Sequence, residues 1–145
     1  MFLDETYNGN GKLFSNGEVV YEGLFEKGIP NKIQLMEQCQ EVTAEDIARR
    51  PEYFKGRMII IHGKVSQVVD HDEARVDYLV GTGPKYNETF YVGYERPKGD
   101  VRILNNDIIT VWGLCRGLYT YQNQFYSNVT KPGIWGYYIE IEQES

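Results

Sequence analysis

The sequence predicts a mainly β protein: a closed, five-stranded Greek-key barrel, preceded by one short helix and, at the N-terminus, a β-hairpin. Three observations predict it. From Arg57 onward the apolar residues recur with a period of two, the spacing of strands. Glycines fall inside two of those runs, at Gly63 and at Gly113 and Gly117, where a bulge or sharp bend is the usual reason for one. Five bent strands in about 85 residues suit a small barrel, because closure removes exposed edges and needs bent corners. A flat meander or small sandwich is the alternative.

The elements follow in order. In "GKLFSNGEVVYEGLFEKG", residues 11–28, two short strands meet at Ser15-Asn16-Gly17, and Asn-Gly supplies the positive φ angles of a tight hairpin. Residues 33–54 form the helical zone. Thr43 can cap a helix there, with Asp46 three residues on completing a capping box. Pro51 ends that helix, and "PEYF" adds one more turn.

In the first barrel strand Ile59, Ile61, Val65 and Val69 share one face, with His62, Lys64 and Ser66 on the other. Val76, Tyr78 and Val80 are in phase in the second strand, and Phe90, Val92 and Tyr94 in the third. The fourth, "DIITVWGLCRGLYTY", is long and broken by its glycines; alternation puts Tyr119 and Tyr121 inside with Val111 and Cys115. In the last, Trp135, Tyr137, Ile139 and Ile141 form the core side, which leaves Tyr138 outward. The predicted units are a hairpin at 1–32, a helical connector at 33–56 and the barrel at 57–145.

Net charge is −6, from 15 Lys and Arg against 21 Asp and Glu, and neither residues 1–50 nor the remainder is basic. Tight nonspecific binding to a phosphate backbone therefore lacks an overall electrostatic source. The longest apolar run, "MIII" at 58–61, is far too short to span a bilayer, and "MFLDETYNGNGK" lacks the basic start and apolar stretch of a signal peptide. The expectation is a soluble, cytoplasmic chain, or a surface-anchored or extracellular one if it is a fragment of a longer protein. Cys39 and Cys115 lie far apart without metal-type spacing; two free thiols are expected, with a disulfide the alternative.

Two resemblances add to this. Gly9, Gly11, Asn16, Gly17, Tyr21, Gly23 and Gly28 resemble one MORN-type repeat, and "IPNK" breaks the pattern where a second should open. Repeats of that type need several copies to bury a core, so a single one must lean on the barrel or end a longer array. About residues 45–142 resemble an oligonucleotide/oligosaccharide-binding (OB) fold domain of Gram-positive bacterial proteins. Ala48, Arg49, Pro51, Tyr53 and Gly56 match its lead-in, with Arg50 where asparagine is usual. Gly63, Lys64, Val65 and Gln67 match its first strand, and Asp107, Gly113, Gly117, Leu118, Tyr119 and Tyr121 its fourth. The resemblance implies the fold and assigns no activity.

No catalytic constellation stands out. "DHDE", residues 70–73, lacks the ordered ligands and turn glycine of a calcium loop and is predicted to be a polar turn. "GTGPKYN", residues 81–87, also suits a turn rather than an anion nest. Cys115 suits a small core hydrophobe, and His62 has no serine or cysteine partner implied. The surplus is aromatic, at 14% with twelve tyrosines. On barrels of this architecture ligands meet the second and third strands and adjoining loops. That selects outward-facing Tyr91 on the third strand, Arg75 and Asp77 on the second, and Lys85 between them. Phe125 and Tyr126, in the loop after the fourth strand, join them. The sequence thus predicts a noncatalytic binding module for a protein, peptide or saccharide, with single-stranded nucleic acid the less favoured alternative. No cofactor, metal or membrane insertion is predicted.

Overall fold

The computed structural model describes residues 8–145, so residues 1–7 of the predicted hairpin unit lie outside the described residues. Strands hold 58% of the described residues and helices 12%, which makes the protein mainly β.

Strands β1 (Gly9–Ser15) and β2 (Glu18–Glu26) form the expected hairpin, and Asn16 and Gly17 at its turn have φ of 52° and 79°. A two-residue strand, β3 (Ile29–Pro30), adds to β2 through a second tight turn, Lys27-Gly28, again with positive φ. The helical zone holds three helices where one was expected: α1 (Lys32–Gln38), α2 (Ala44–Arg49) and α3 (Pro51–Phe54). Asn31 caps α1, and a capping box of Thr43 and Asp46 starts α2. The extended pair β4 (Gln40–Glu41) separates α1 from α2 and lies parallel to the long strand that follows the helices.

Five long strands follow: β5 (Met58–Asp70), β6 (Arg75–Thr82), β7 (Glu88–Glu95), β8 (Ile108–Gln122) and β9 (Asn128–Gln143). Their pairings run β5–β6–β7–β9–β8 and return from β8 to β5, all antiparallel except β7–β9. β5 serves both sides: Met58–Lys64 pair with β8, and Lys64–Asp70 with β6. The strand turns from one partner to the other beside Gly63, where a Cβ would collide with the Gly81 carbonyl oxygen. A bulge at Ser66 then shifts the phase, so that Val68 rather than Val69 packs on the interior.

The interior holds Ile59, Ile61 and Val65 from β5, Tyr78 and Val80 from β6, Phe90 and Val92 from β7, and Ile134 from β9. Ile47 of α2 and Phe54 of α3 join the same core. Burying a Val, Ile or Phe side chain is worth about 1.5–3 kcal/mol, so this cluster dominates the fold's stability. A second core lies on the other side of the six-stranded sheet. Leu13, Tyr21 and Phe25 of the hairpin sheet pack with Leu35 of α1 and Met58, which points away from Ile59. Tyr138 Oη donates to the Pro30 carbonyl at 2.7 Å, and Arg57 pairs with Glu18 at 2.9 Å. The hairpin sheet thus covers one side of the six-stranded sheet. The outer face of β6 and β7 is covered instead by side chains of the β8–β9 ribbon, Tyr119, Tyr121 and Trp135.

Two bulges overturn the predicted facing of the late aromatics. Between Cys115 and Gly117 the β8 register slips by one residue, with Gly117 at φ 71°. Val111 and Cys115 face the interior as expected, whereas Tyr119 and Tyr121 come out on the outer face. A second slip leaves Tyr137 unpaired in β9. Ile139 and Ile141 keep to the barrel core, Tyr137 and Tyr138 pack on the hairpin core, and Trp135 lies on the outer face.

Candidate functional site

The outer face is organised around Asp77. Alternation along β6 turns Asp77 away from the core residues Val76 and Tyr78, yet its carboxylate is only 1% exposed. Arg75 Nε donates to Oδ1 at 2.7 Å, His71 Nε2 lies 3.0 Å from Oδ2, and the Tyr91 hydroxyl donates to Oδ2. Burial alone raises the Asp77 carboxyl; the hydrogen bonds from Arg75, Tyr91 and His71 outweigh it and hold it below its ordinary value. The same contacts strengthen Arg75 as a cation, while burial and then the Asp77 carboxylate push the Tyr91 phenol up.

Rings complete the face. The Arg75 guanidinium lies 5.0 Å from the Trp135 ring, and Gly93 between them leaves the space: its Cβ would sit 3.0 Å from the indole. Tyr91 stacks on Tyr119 at 4.8 Å and on Tyr121 at 4.6 Å. Gly133 lets Tyr119 cross the ribbon, since a Cβ there would approach the Tyr119 Cβ to 3.0 Å. Arg116 stands over Tyr119 at 4.5 Å. Tyr91, expected as an exposed ring, is therefore buried under two tyrosines that alternation had put indoors. Next to Trp135 a groove of about 810 Å³ runs toward the hairpin, between Tyr137, Tyr138, Pro97 and Ile29.

The structure brings Arg75, Asp77 and Tyr91 together, and only Arg75 keeps an accessible polar surface. Lys85 lies apart, exposed in the β6–β7 turn at the opposite end of β6 from Arg75. Phe125 and Tyr126 stand at the tip of the β8–β9 ribbon, almost fully exposed. The sequence did not single out Trp135, Tyr119, Tyr121, Arg116 or His71 as parts of this face. The signal for the first three was present in Gly117 and Gly136, which flank the two register slips.

Other candidates hold chemistry of a different kind. In the 71–74 turn Asp72 Oδ1 accepts the amides of Ala74 and Arg75, a polar turn as predicted. His62 Nδ1 lies 2.8 Å from the Thr110 hydroxyl, which donates to Glu142, so the hydroxyl proton is committed to a carboxylate. Both cysteines are free thiols. Burial pushes Cys39 up to about 12 and Cys115 up to about 11, which leaves them protonated and poorly nucleophilic at neutral pH. Among the described residues no group of three or more His, Cys, Asp or Glu could hold a metal ion, and no helix is long and apolar enough to cross a membrane.

No protein-family model matches the chain, and no curated protein does. Solved structures do. The OBody AM1L10, bound to hen egg-white lysozyme, is 13% identical with a TM-score of 0.44, over 64% of this chain and 85% of that one. The mitochondrial single-stranded DNA binding protein Rim1 from S. cerevisiae is 16% identical with a TM-score of 0.41, over 63% of this chain and 98% of that one.

Proposed function

We propose that the chain is a noncatalytic OB-type binding module with a MORN-like hairpin, and that it holds a protein, peptide or saccharide on the outer face of β6, β7 and β9. The strand order supports the barrel type: a five-membered ring of pairings with a single parallel contact, between its third and fifth strands. One observation carries the binding role. The buried Asp77 carboxylate fixes Arg75, and Arg75 lies over Trp135 beside an open aromatic groove. A face whose side chains are already locked loses little entropy on binding. Aromatic planes with a few placed polar groups suit sugar rings and peptide side chains alike.

The test is an NMR titration against a panel of oligosaccharides and a panel of unstructured peptides. The Trp135 indole and Arg75 guanidinium resonances are expected to move with a member of one panel, and Trp135→Ala to abolish the response. Silence of both resonances across both panels would sink the reading. Single-stranded nucleic acid is the second reading, favoured by two arginines of this face that lie over rings, Arg75 on Trp135 and Arg116 on Tyr119. It requires binding of a labelled oligonucleotide that strengthens as salt is lowered, because phosphate contacts are strongest there.

A further inference from the structure

The ribbon of β8 and β9 differs electrically from the rest of the chain. Between Arg116 and Ile139 there is no Asp or Glu, only the cations Arg116 and Lys131, in a protein of net charge −6. This stretch is therefore +2 and the remainder −8, by subtraction over the same 145 residues. Its tip is built as a firm turn. Asn123 Oδ1 accepts the amides of Phe125 and Ser127, the Asn123 amide donates to the Ser127 carbonyl, and the Tyr126 amide donates to the Asn123 carbonyl. Tyr126 sits at φ 61°, a left-handed conformation that costs a non-glycine residue about 1–2 kcal/mol. The outcome is two neighbouring rings, Phe125 and Tyr126, 76% and 82% exposed on a convex tip. Neither rests on any other part of the barrel. Strain spent on holding apolar rings in water points to something that takes them out of it.

We propose that this tip inserts Phe125 and Tyr126 into the headgroup region of a bilayer that carries anionic lipid, with Lys131 directed to the lipid phosphates. This inference does not rest on the ring face around Asp77. Three features select a lipid surface. A convex pair of rings needs a yielding or concave recipient, and tyrosine in particular favours the interface between water and hydrocarbon. A stretch without carboxylates meets no repulsion from phosphate. Geometry also fits: interfacial apolar groups sit about 5–10 Å deep, and Lys131, four strand residues back from Ser127, lies roughly 13 Å behind the tip. That depth brings its ammonium to the phosphate level. The same spacing exceeds the Debye length of about 8 Å at physiological salt, so the acidic body is largely screened from the surface.

The experiment is co-sedimentation of the whole chain with vesicles of phosphatidylcholine alone and of an equimolar mixture with phosphatidylglycerol. Binding is expected to the mixed vesicles above the neutral ones, and to weaken as salt is raised. The double variant Phe125→Ser, Tyr126→Asn should bind at least about tenfold more weakly, given the transfer energy of even one ring. Asparagine tolerates the left-handed backbone, so the loss would report the rings and not a broken turn. Lys131→Gln should lessen both the binding to mixed vesicles and its salt dependence. Failure of the unaltered chain to bind mixed vesicles overturns the proposal, and so does a double variant that binds as well as the parent. Tip resonances that respond to a peptide or an oligonucleotide while vesicles leave them unmoved would assign the rings to a macromolecule instead.

Discussion

Asp77→Ala is expected to destabilise the protein by about 3 kcal/mol at neutral pH, the low end of the range for removing one partner of a buried ion pair. The substitution leaves the Tyr91 hydroxyl buried without an acceptor and takes the partner from Arg75 and His71. The low end applies because the Arg75 side chain is 35% exposed and can rehydrate. For a chain of this length the melting temperature should fall by roughly 6–12 °C. The pH dependence has a definite sign. The folded carboxyl is held below its ordinary value, so its stabilisation is present above the unfolded pKa and is lost as pH falls through the folded one. Urea unfolding of parent and variant should therefore differ most near neutrality and converge in acid, below about pH 4. A gap under 1 kcal/mol at neutral pH, or one that stays constant into acid, would show that the network does not hold the face.

The sequence exposed the β-rich core far better than it exposed the site, and the reason lies in how each is encoded. Core positions such as Ile61, Val80, Phe90 and Val92 obey a period of two because one face of every strand must avoid water, and that requirement is local. Asn16-Gly17 and the Thr43–Asp46 capping box were legible for the same reason, since a turn or a cap involves a few adjacent residues. Tyr119, Tyr121 and Trp135 were misplaced because alternation was carried through two register slips. A single extra residue turns every later side chain to the other face, and which of several mid-strand glycines marks a slip depends on the partner strand. Asp77 illustrates a further limit. Alternation turned it outward correctly, but its burial comes from Tyr91 fourteen residues on and Arg75 two residues back closing over it. The helical zone was legible, but its division into α1 and α2 was not: seven residues with one buried side chain, Leu35, carry almost no periodic signal of their own.

The second large effect concerns the hairpin unit. Tyr21→Ala is expected to cost about 3–5 kcal/mol, the usual penalty for truncating a buried aromatic. Tyr21 is wholly buried, meets Phe25 edge-on at 5.3 Å, and donates its hydroxyl to the Leu24 carbonyl at 2.6 Å. It packs with Leu13, Leu35 and Met58, so the cavity falls between the hairpin sheet, α1 and the barrel wall. A small hairpin sheet has little stability of its own in water. Core residues of the six-stranded sheet from Ile59 to Ile134, in contrast, belong to a separate cluster that Tyr21 does not join. Hydrogen exchange should thus show protection lost across β1 and β2, with the amides of β6 and β7 remaining protected. A uniform loss over both would mean that hairpin and barrel unfold as one cooperative unit. The local outcome would instead make the hairpin a docked module. Its release would free Tyr138 from Pro30 and open the hairpin side of the groove beside Trp135, with the Asp77 network intact.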